Sequence, residues 1–179
     1  LSRYVGFRDT IINQLIYNIF SKEKNIINYI EYGCTSWGPI HYIIDKGFQC
    51  LSIIPLNHIF WDCSDHASNI NAKNYKIINE KFIKENTIYI KNSILNLILV
   101  LDHIDNPYRF LMSFIKRGVK FIFIILEKSN EDEDNDLPIQ HLTGWNKTSL
   151  IHLATKLKSN IEFIDLKSNL FLAALIKIK

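Results

Sequence analysis

The sequence predicts an α/β fold: a doubly wound, mostly parallel sheet that ends in an antiparallel hairpin. Three nearly unbroken apolar runs, Ile26–Ile30, Phe48–Ile54 and Val119–Leu126, alternate along the chain with segments of helical periodicity. Strands that are apolar on both faces are typical of a parallel sheet covered by helices on each side. Two further apolar runs lie near the end of the chain, at 161–166 and 170–178, and only three residues join them. So short a link favours an antiparallel pair.

The first half of the chain predicts a helix, a strand, a second helix and a second strand. Residues 8–22 carry apolar side chains at helical spacing. The strand Ile26–Ile30 follows, and Pro39 and Gly47 suit the first turn and the end of the next helix. Phe48–Ile54 is the second strand. Residues 56–75 show no clear period, and 75–90 hold one or two weak strands.

The second half has clearer boundaries. An apolar strand is predicted over Ile94–Leu101, followed by a helix that Asn106 caps and that Pro107 begins. Gly118 ends this helix, and the strand Val119–Leu126 comes next. The acidic segment 127–138 is interpreted as a solvated loop, and Asn146 caps one more helix before the hairpin.

Composition narrows the class of protein. A chain of 179 residues, 47% of them apolar, fits one globular domain over residues 1–179. The net charge is +3, but the basic residues are scattered, so we expect no nucleic-acid partner. No apolar stretch reaches the roughly 18 residues of a membrane span, and no signal peptide opens the chain. Three cysteines without a C-x-x-C pair favour a reducing compartment. We therefore expect a cytoplasmic protein without membrane contact.

Ligands of open doubly wound sheets bind beyond the carboxyl ends of the strands, where the strand order reverses. In this chain those ends are predicted at Glu31–Gly38, Ile54–Asn57, Asp102–Asp105 and from Glu127 onward. Ligand-binding and catalytic residues are therefore expected in these four segments.

Four segments together resemble the class I S-adenosylmethionine-dependent methyltransferases. They lie in the order and at the spacing of that family and cover most of the chain: Glu31-Tyr32-Gly33-Cys34-Thr35-Ser36-Trp37-Gly38, Asn96-Leu97-Ile98-Leu99 through Leu101-Asp102-His103-Ile104-Asp105-Asn106-Pro107, Gly118-Val119-Lys120-Phe121-Ile122-Phe123-Ile124, and His141-Leu142-Thr143-Gly144-Trp145 leading into the next helix. The resemblance implies a Rossmann-like methyltransferase fold, S-adenosylmethionine as the cofactor and a small-molecule acceptor.

The same resemblance implies which residues line the cofactor and which does the chemistry. The implied cofactor-binding residues are Glu31, Gly33, Cys34, Thr35, Gly38 and Asp102. His103 is the implied general base, since imidazole titrates near neutral pH. From the sequence alone, His103 is also compatible with capping or bracing the helix that begins at Pro107.

Four positions depart from the family pattern. Thr35 and Trp37 stand where the second and third glycines of the turn belong, and Ile54 stands where the family has an acidic residue for the ribose hydroxyls. Asn96 replaces the aspartate that begins the fourth strand. These departures leave a second hypothesis open, a catalytically inactive methyltransferase-like domain that serves as a binding or assembly module. A third, a Rossmann-like domain for another nucleotide, is disfavoured by the terminal hairpin.

Two further clusters of polar residues are interpreted as having no catalytic or metal-binding role. Cys63 and His66 lack the additional ligands that zinc requires, so no metal site is predicted. The acidic run 131–136 lacks the turn glycine and the closing glutamate of a calcium loop.

Overall fold

The computed structural model describes residues 11–33, 39–55, 70–128, 144–166 and 171–179. The strands in these residues, numbered along the chain, are β1 Asn28–Tyr32, β2 Gln49–Ile54, β3 Tyr75–Asn79, β4 Ser93–Ile98, β5 Val119–Glu127, β6 Asn160–Ile164 and β7 Phe171–Lys177. The helices are α1 Ile11–Lys22, α2 Ile40–Asp45, α3 Thr87–Ile90, α4 Pro107–Ile115 and α5 Lys147–Lys156. Short 3₁₀ turns lie at Glu80–Phe82, Lys84–Asn86 and Leu101–His103.

The strands form one sheet in the order β3-β2-β1-β4-β5-β7-β6. Strands β1 to β5 run parallel, and β7 is antiparallel to both β5 and β6. The chain builds outward from β1 to β3 and then returns to place β4 on the other side of β1. The reversal of strand order therefore falls between β1 and β4. Both the doubly wound parallel sheet and the terminal antiparallel hairpin are confirmed.

Helices cover both faces of the sheet, which explains the unbroken apolar runs. On one face, Tyr29 and Phe123 pack with the apolar side of α1 and with Ile40 and Ile43 of α2. On the other face, alternate strand residues such as Ile30 pack with α4 and α5. Because neither face is solvated, apolar residues are required at consecutive strand positions.

The helix starts are set as the sequence predicts. Asn106 accepts a hydrogen bond from the backbone N–H of Arg109 at 3.0 Å, and Pro107 occupies the first turn of α4. Asn146 forms a reciprocal capping box with Ser149 at the start of α5. These caps fix where each helix leaves the carboxyl edge of the sheet.

Two strand boundaries differ from the prediction. Strand β1 continues to Tyr32 instead of ending at Ile30, so Glu31 lies inside the sheet and not in the following loop. Its carboxylate accepts a hydrogen bond from the Tyr29 hydroxyl at 3.0 Å, which lets an acidic residue be buried in a central strand. Strand β4 stops at Ile98 because Leu99 adopts a positive φ of 53°, and the apolar run then turns away from the sheet.

The segment 75–90 contains one strand and turns, not two strands. β3 is followed by 3₁₀ turns and the short helix α3. In the part of the chain that the structure describes, no helix is long and apolar enough to cross a membrane.

Candidate functional site

The segments that follow β1 and β4 meet at the point where the strand order reverses. Gly33 directly follows β1, and its N–H donates to the Ile53 carbonyl at 3.0 Å. Asp102 lies in the 3₁₀ turn Leu101–His103 after β4, the strand that pairs with β1. Because both strands are parallel, the two residues lie on one edge of the sheet, as the sequence predicts.

Gly33 has a φ of 68°, a backbone conformation that glycine adopts without strain. The chain can therefore turn sharply as it leaves β1, with no Cβ on the residue at the turn. A backbone without side chains at this position is what allows a ligand to approach closely.

Glu31 is the centre of a buried polar row that crosses three strands. It is in register with Ser52 of β2 and with Asn96 of β4. Glu31 is 3% exposed, and the other two are fully buried. Residues in register on parallel strands project to the same face, so the three polar side chains line one level of the sheet, two residues below Gly33.

Ser52 Oγ and both amide atoms of Asn96 make no hydrogen bond within the described structure. A buried polar group without a partner destabilises a fold by about 1–3 kcal/mol. The sequence analysis missed Ser52. The signal was present, because each of the three strands carries one polar residue in an otherwise apolar centre, but only the register shows that these residues are neighbours.

Asp102 and His103 form a buried pair beside Gly33's strand. Asp102 is 3% exposed and His103 is 9% exposed. The distance from Asp102 Oδ2 to His103 Nε2 is 3.9 Å, within the range of an ion pair when the imidazole is protonated. The observed side-chain cap of α4 is Asn106, and the predicted roles of His103, as a general base or as a brace of this helix, stay predictions.

Ile54 ends β2 at the same edge, in register with Asn79 of β3. Its half-buried aliphatic side chain accepts no hydrogen bond. The side-chain oxygen of Asn79 accepts a hydrogen bond from the Lys81 N–H at 3.2 Å.

Cys50 lies one level below the polar row, in register with Tyr29. Burial, with a smaller contribution from the negative charge of Glu31, raises the pKa of the Cys50 thiol far above its ordinary value. The thiol is therefore a packing group and not a nucleophile. The described residues contain no cluster of three or more metal-ligating side chains.

Several predicted site residues lie outside the described residues. Cys34, Thr35, Trp37 and Gly38 are among them, and so are the segments that contain Cys63, His66 and His141 and the acidic run 131–136. Their predicted roles stay predictions.

The fold is similar to that of solved S-adenosylmethionine-dependent methyltransferases. The methyltransferase domain of bacterial CtHen1 is 14% identical, with 93% of this chain and 97% of that chain covered and a TM-score of 0.60. A methyltransferase from Aquifex aeolicus is 11% identical over 99% and 98% of the two chains, with a TM-score of 0.61. Human N-acetylserotonin methyltransferase in complex with SAM is 13% identical over 94% of this chain and 52% of that chain, also at 0.61.

No protein-family model matches the chain, and no curated protein matches it. The chain thus has the class I methyltransferase fold, and identities of 11–14% establish no more than the fold.

Proposed function

We propose that this protein is an S-adenosylmethionine-dependent methyltransferase that acts on a small molecule. The observation that carries the proposal is that Gly33 and the buried Asp102–His103 pair follow adjacent parallel strands at the same edge of the sheet, where the strand order reverses. Ligands of doubly wound folds bind at this point. The methyltransferases of similar fold that were solved with SAM or SAH bound support the choice of cofactor.

The described residues fit one half of this cofactor better than the other. Glu31 and Gly33 offer a carboxylate below a turn without a side chain, which suits the amino-acid portion, and the buried Asp102 adds a second acid at the same edge of the sheet. Ile54 offers no acceptor to the ribose hydroxyls. We therefore expect binding that is weaker than a carboxylate at position 54 would give.

S-adenosylmethionine, when bound, supplies a methyl group on a positively charged sulfur. His103 accepts the proton that an O–H or N–H acceptor loses on methylation. Asp102, 3.9 Å away, stabilises the positive charge that the imidazole then carries.

The acceptor is proposed to be a small molecule, because the basic residues are scattered along the sequence, whereas a nucleic-acid-binding protein concentrates them. Three cysteines without a C-x-x-C pair favour a reducing compartment, so a cytoplasmic location is part of the proposal.

Titration with S-adenosylmethionine and S-adenosylhomocysteine, by calorimetry and by thermal shift, tests the proposal. At a ligand concentration of 100 Kd, the free energy of unfolding should rise by about 2.7 kcal/mol. For a chain of this size the melting temperature should then rise by roughly 5–11 °C. The absence of both heat and a melting shift at millimolar ligand would refute cofactor binding.

The variant Ile54→Asp tests where the ribose lies. A new carboxylate that accepts from the ribose hydroxyls should tighten binding by about 1.5–3 kcal/mol, roughly ten- to a hundredfold. Ile54→Val is the matched control and should leave Kd unchanged. If Ile54→Asp does not bind more tightly while the wild type does bind, the ribose is held elsewhere.

The variant His103→Gln tests the base. With a pool of small metabolites as acceptors, formation of S-adenosylhomocysteine should fall roughly 10²–10⁴-fold, while the Kd for the cofactor stays the same. An unchanged rate would remove His103 from the mechanism.

A catalytically inactive binding or assembly module is the second candidate. Ile54 favours it, because it removes the acceptor that the fold normally provides for the ribose. The calorimetric titration decides between the two, since a module that has lost the cofactor site gives no heat.

A further inference from the structure

A groove lies between the beginning of α4 and one side of α5, on the helical face opposite α1. It is an open groove with a volume of about 610 Å³. We call its mouth the end lined by Asp105, two residues after His103, and by Gly144, just before α5. It therefore opens at the same edge of the sheet as the candidate site.

The groove lining includes aromatic and aliphatic side chains. These side chains are Trp145, which is 7% exposed, the buried Leu153, and the half-buried Tyr108 and Pro107. Two aromatic rings and a proline in one cavity suit a planar apolar molecule.

Much of the polar lining is already engaged. Asn106 and Asn146 cap α4 and α5, with hydrogen bonds of 3.0 and 2.8 Å to backbone N–H groups. Ser149 completes the second cap. The ionisable side chains of the lining that remain for recognition are Asp105, His152 and Lys156.

These three side chains are arranged along the groove with the basic groups together. His152 and Lys156 are four residues apart and so share one side of α5. The Lys156 ammonium lies 5.5 Å from the centre of the Tyr108 ring. Asp105 stands at the mouth, immediately before the N-terminal end of α4, whose dipole offsets its negative charge. A negative group is therefore favoured beside Lys156 and Tyr108, away from the mouth.

We propose that this groove binds the methyl acceptor, and that the acceptor is a planar aromatic molecule with an anionic group, such as an aromatic carboxylate. The anionic group pairs with Lys156, the ring packs between Tyr108 and Trp145, and the reactive end points to the mouth. The identification of this ligand as the methyl acceptor rests on the proposed function. Binding of the ligand in the groove does not depend on the cofactor.

Three probes of the same shape and different charge test the proposal without cofactor: 2-naphthoate, neutral 2-naphthamide and cationic 2-naphthylmethylammonium. Calorimetry with the wild-type chain should show 2-naphthoate binding most tightly. In Lys156→Gln its affinity should fall about two- to fivefold, the range of an exposed ion pair, and that of the amide should not change. Lys158→Gln, which changes a nearby lysine outside the groove lining, is the matched control and should bind as the wild type does. Melting temperatures of both variants confirm that they fold.

Equal affinities of the three probes, tighter binding of the ammonium probe, or an unaffected Lys156→Gln variant would overturn the charge assignment. If 2-naphthoate fails to bind at millimolar concentration while S-adenosylmethionine still binds, the groove proposal fails and the proposed function stands. If 2-naphthoate binds and S-adenosylmethionine does not, the proposed function fails instead. In the methylation assay, 2-naphthoate should inhibit S-adenosylhomocysteine formation, and lack of inhibition would overturn the acceptor role.

Discussion

Replacing Asn96 with valine should make this protein more stable. Asn96 is fully buried in the central strand β4, and neither amide atom makes a hydrogen bond within the described structure. Burial without a partner costs about 1–3 kcal/mol, and an apolar side chain removes that cost. Valine is β-branched and suits a central strand, so we expect little penalty from its shape.

Asn28 provides a matched control of opposite sign. It is also buried, at the start of β1, but its amide donates to the Lys91 carbonyl at 3.0 Å and to the Ile88 carbonyl at 3.3 Å. Asn28→Val therefore leaves two carbonyls without these donors and should destabilise the fold by about 1–3 kcal/mol.

Urea unfolding, followed by circular dichroism, measures both variants. For Asn96→Val the free energy of unfolding should rise by about 1–3 kcal/mol, with a melting temperature higher by roughly 2–12 °C. For Asn28→Val both should fall. If Asn96→Val is less stable than the wild type, an ordered water satisfies the amide, and the account of Asn96 as an unpaired group is wrong.

Three further predictions concern stability. Gly118→Ala should lower the free energy of unfolding by about 1–2 kcal/mol in a urea titration, because its φ of 95° strains any residue with a Cβ; an unchanged midpoint would contradict this. Asn146→Ala should cost about 1 kcal/mol through loss of the capping box with Ser149, whereas Asn146→Asp, which keeps an acceptor, should cost less in the same titration. Because burial raises the pKa of the Cys50 thiol, the unfolded state loses this proton first, and stability should decline above about pH 8.5, the ordinary thiol pKa. Cys50→Ala should remove that part of the decline. If the stability of the wild type and of Cys50→Ala falls in parallel from pH 8 to 10, Cys50 does not cause the decline.

Local signals were sufficient for most of the fold. Asn106 with Pro107, and Asn146 with Ser149, predict helix starts because a cap depends on neighbours in the sequence. The predicted strand ends near Glu31 and Leu99 were wrong, because the hydrophobic pattern of neighbouring residues does not determine where these strands end. An acidic residue interrupts the apolar pattern but stays in the strand through its contact with Tyr29, and an apolar run continues past Ile98 although the backbone has already turned.

The candidate site also combines features that local sequence predicts with features that depend on distant segments. The sequence placed Gly33 and Asp102 at the ends of two strands, and parallel pairing of β1 with β4 brings those ends together. It showed a polar residue in the apolar centre of each of these strands but not that Ser52 and Asn96 flank Glu31, because cross-strand register is a relation between residues far apart in the chain.

The sequence by itself determined that helices alternate with strands buried on both faces, since hydrophobic periodicity and caps are local properties of the chain. Only the tertiary structure decided which polar side chains are neighbours and that α4 and α5 leave a groove between them. Both depend on how distant segments pack, and packing is set by the whole core and not by any one segment.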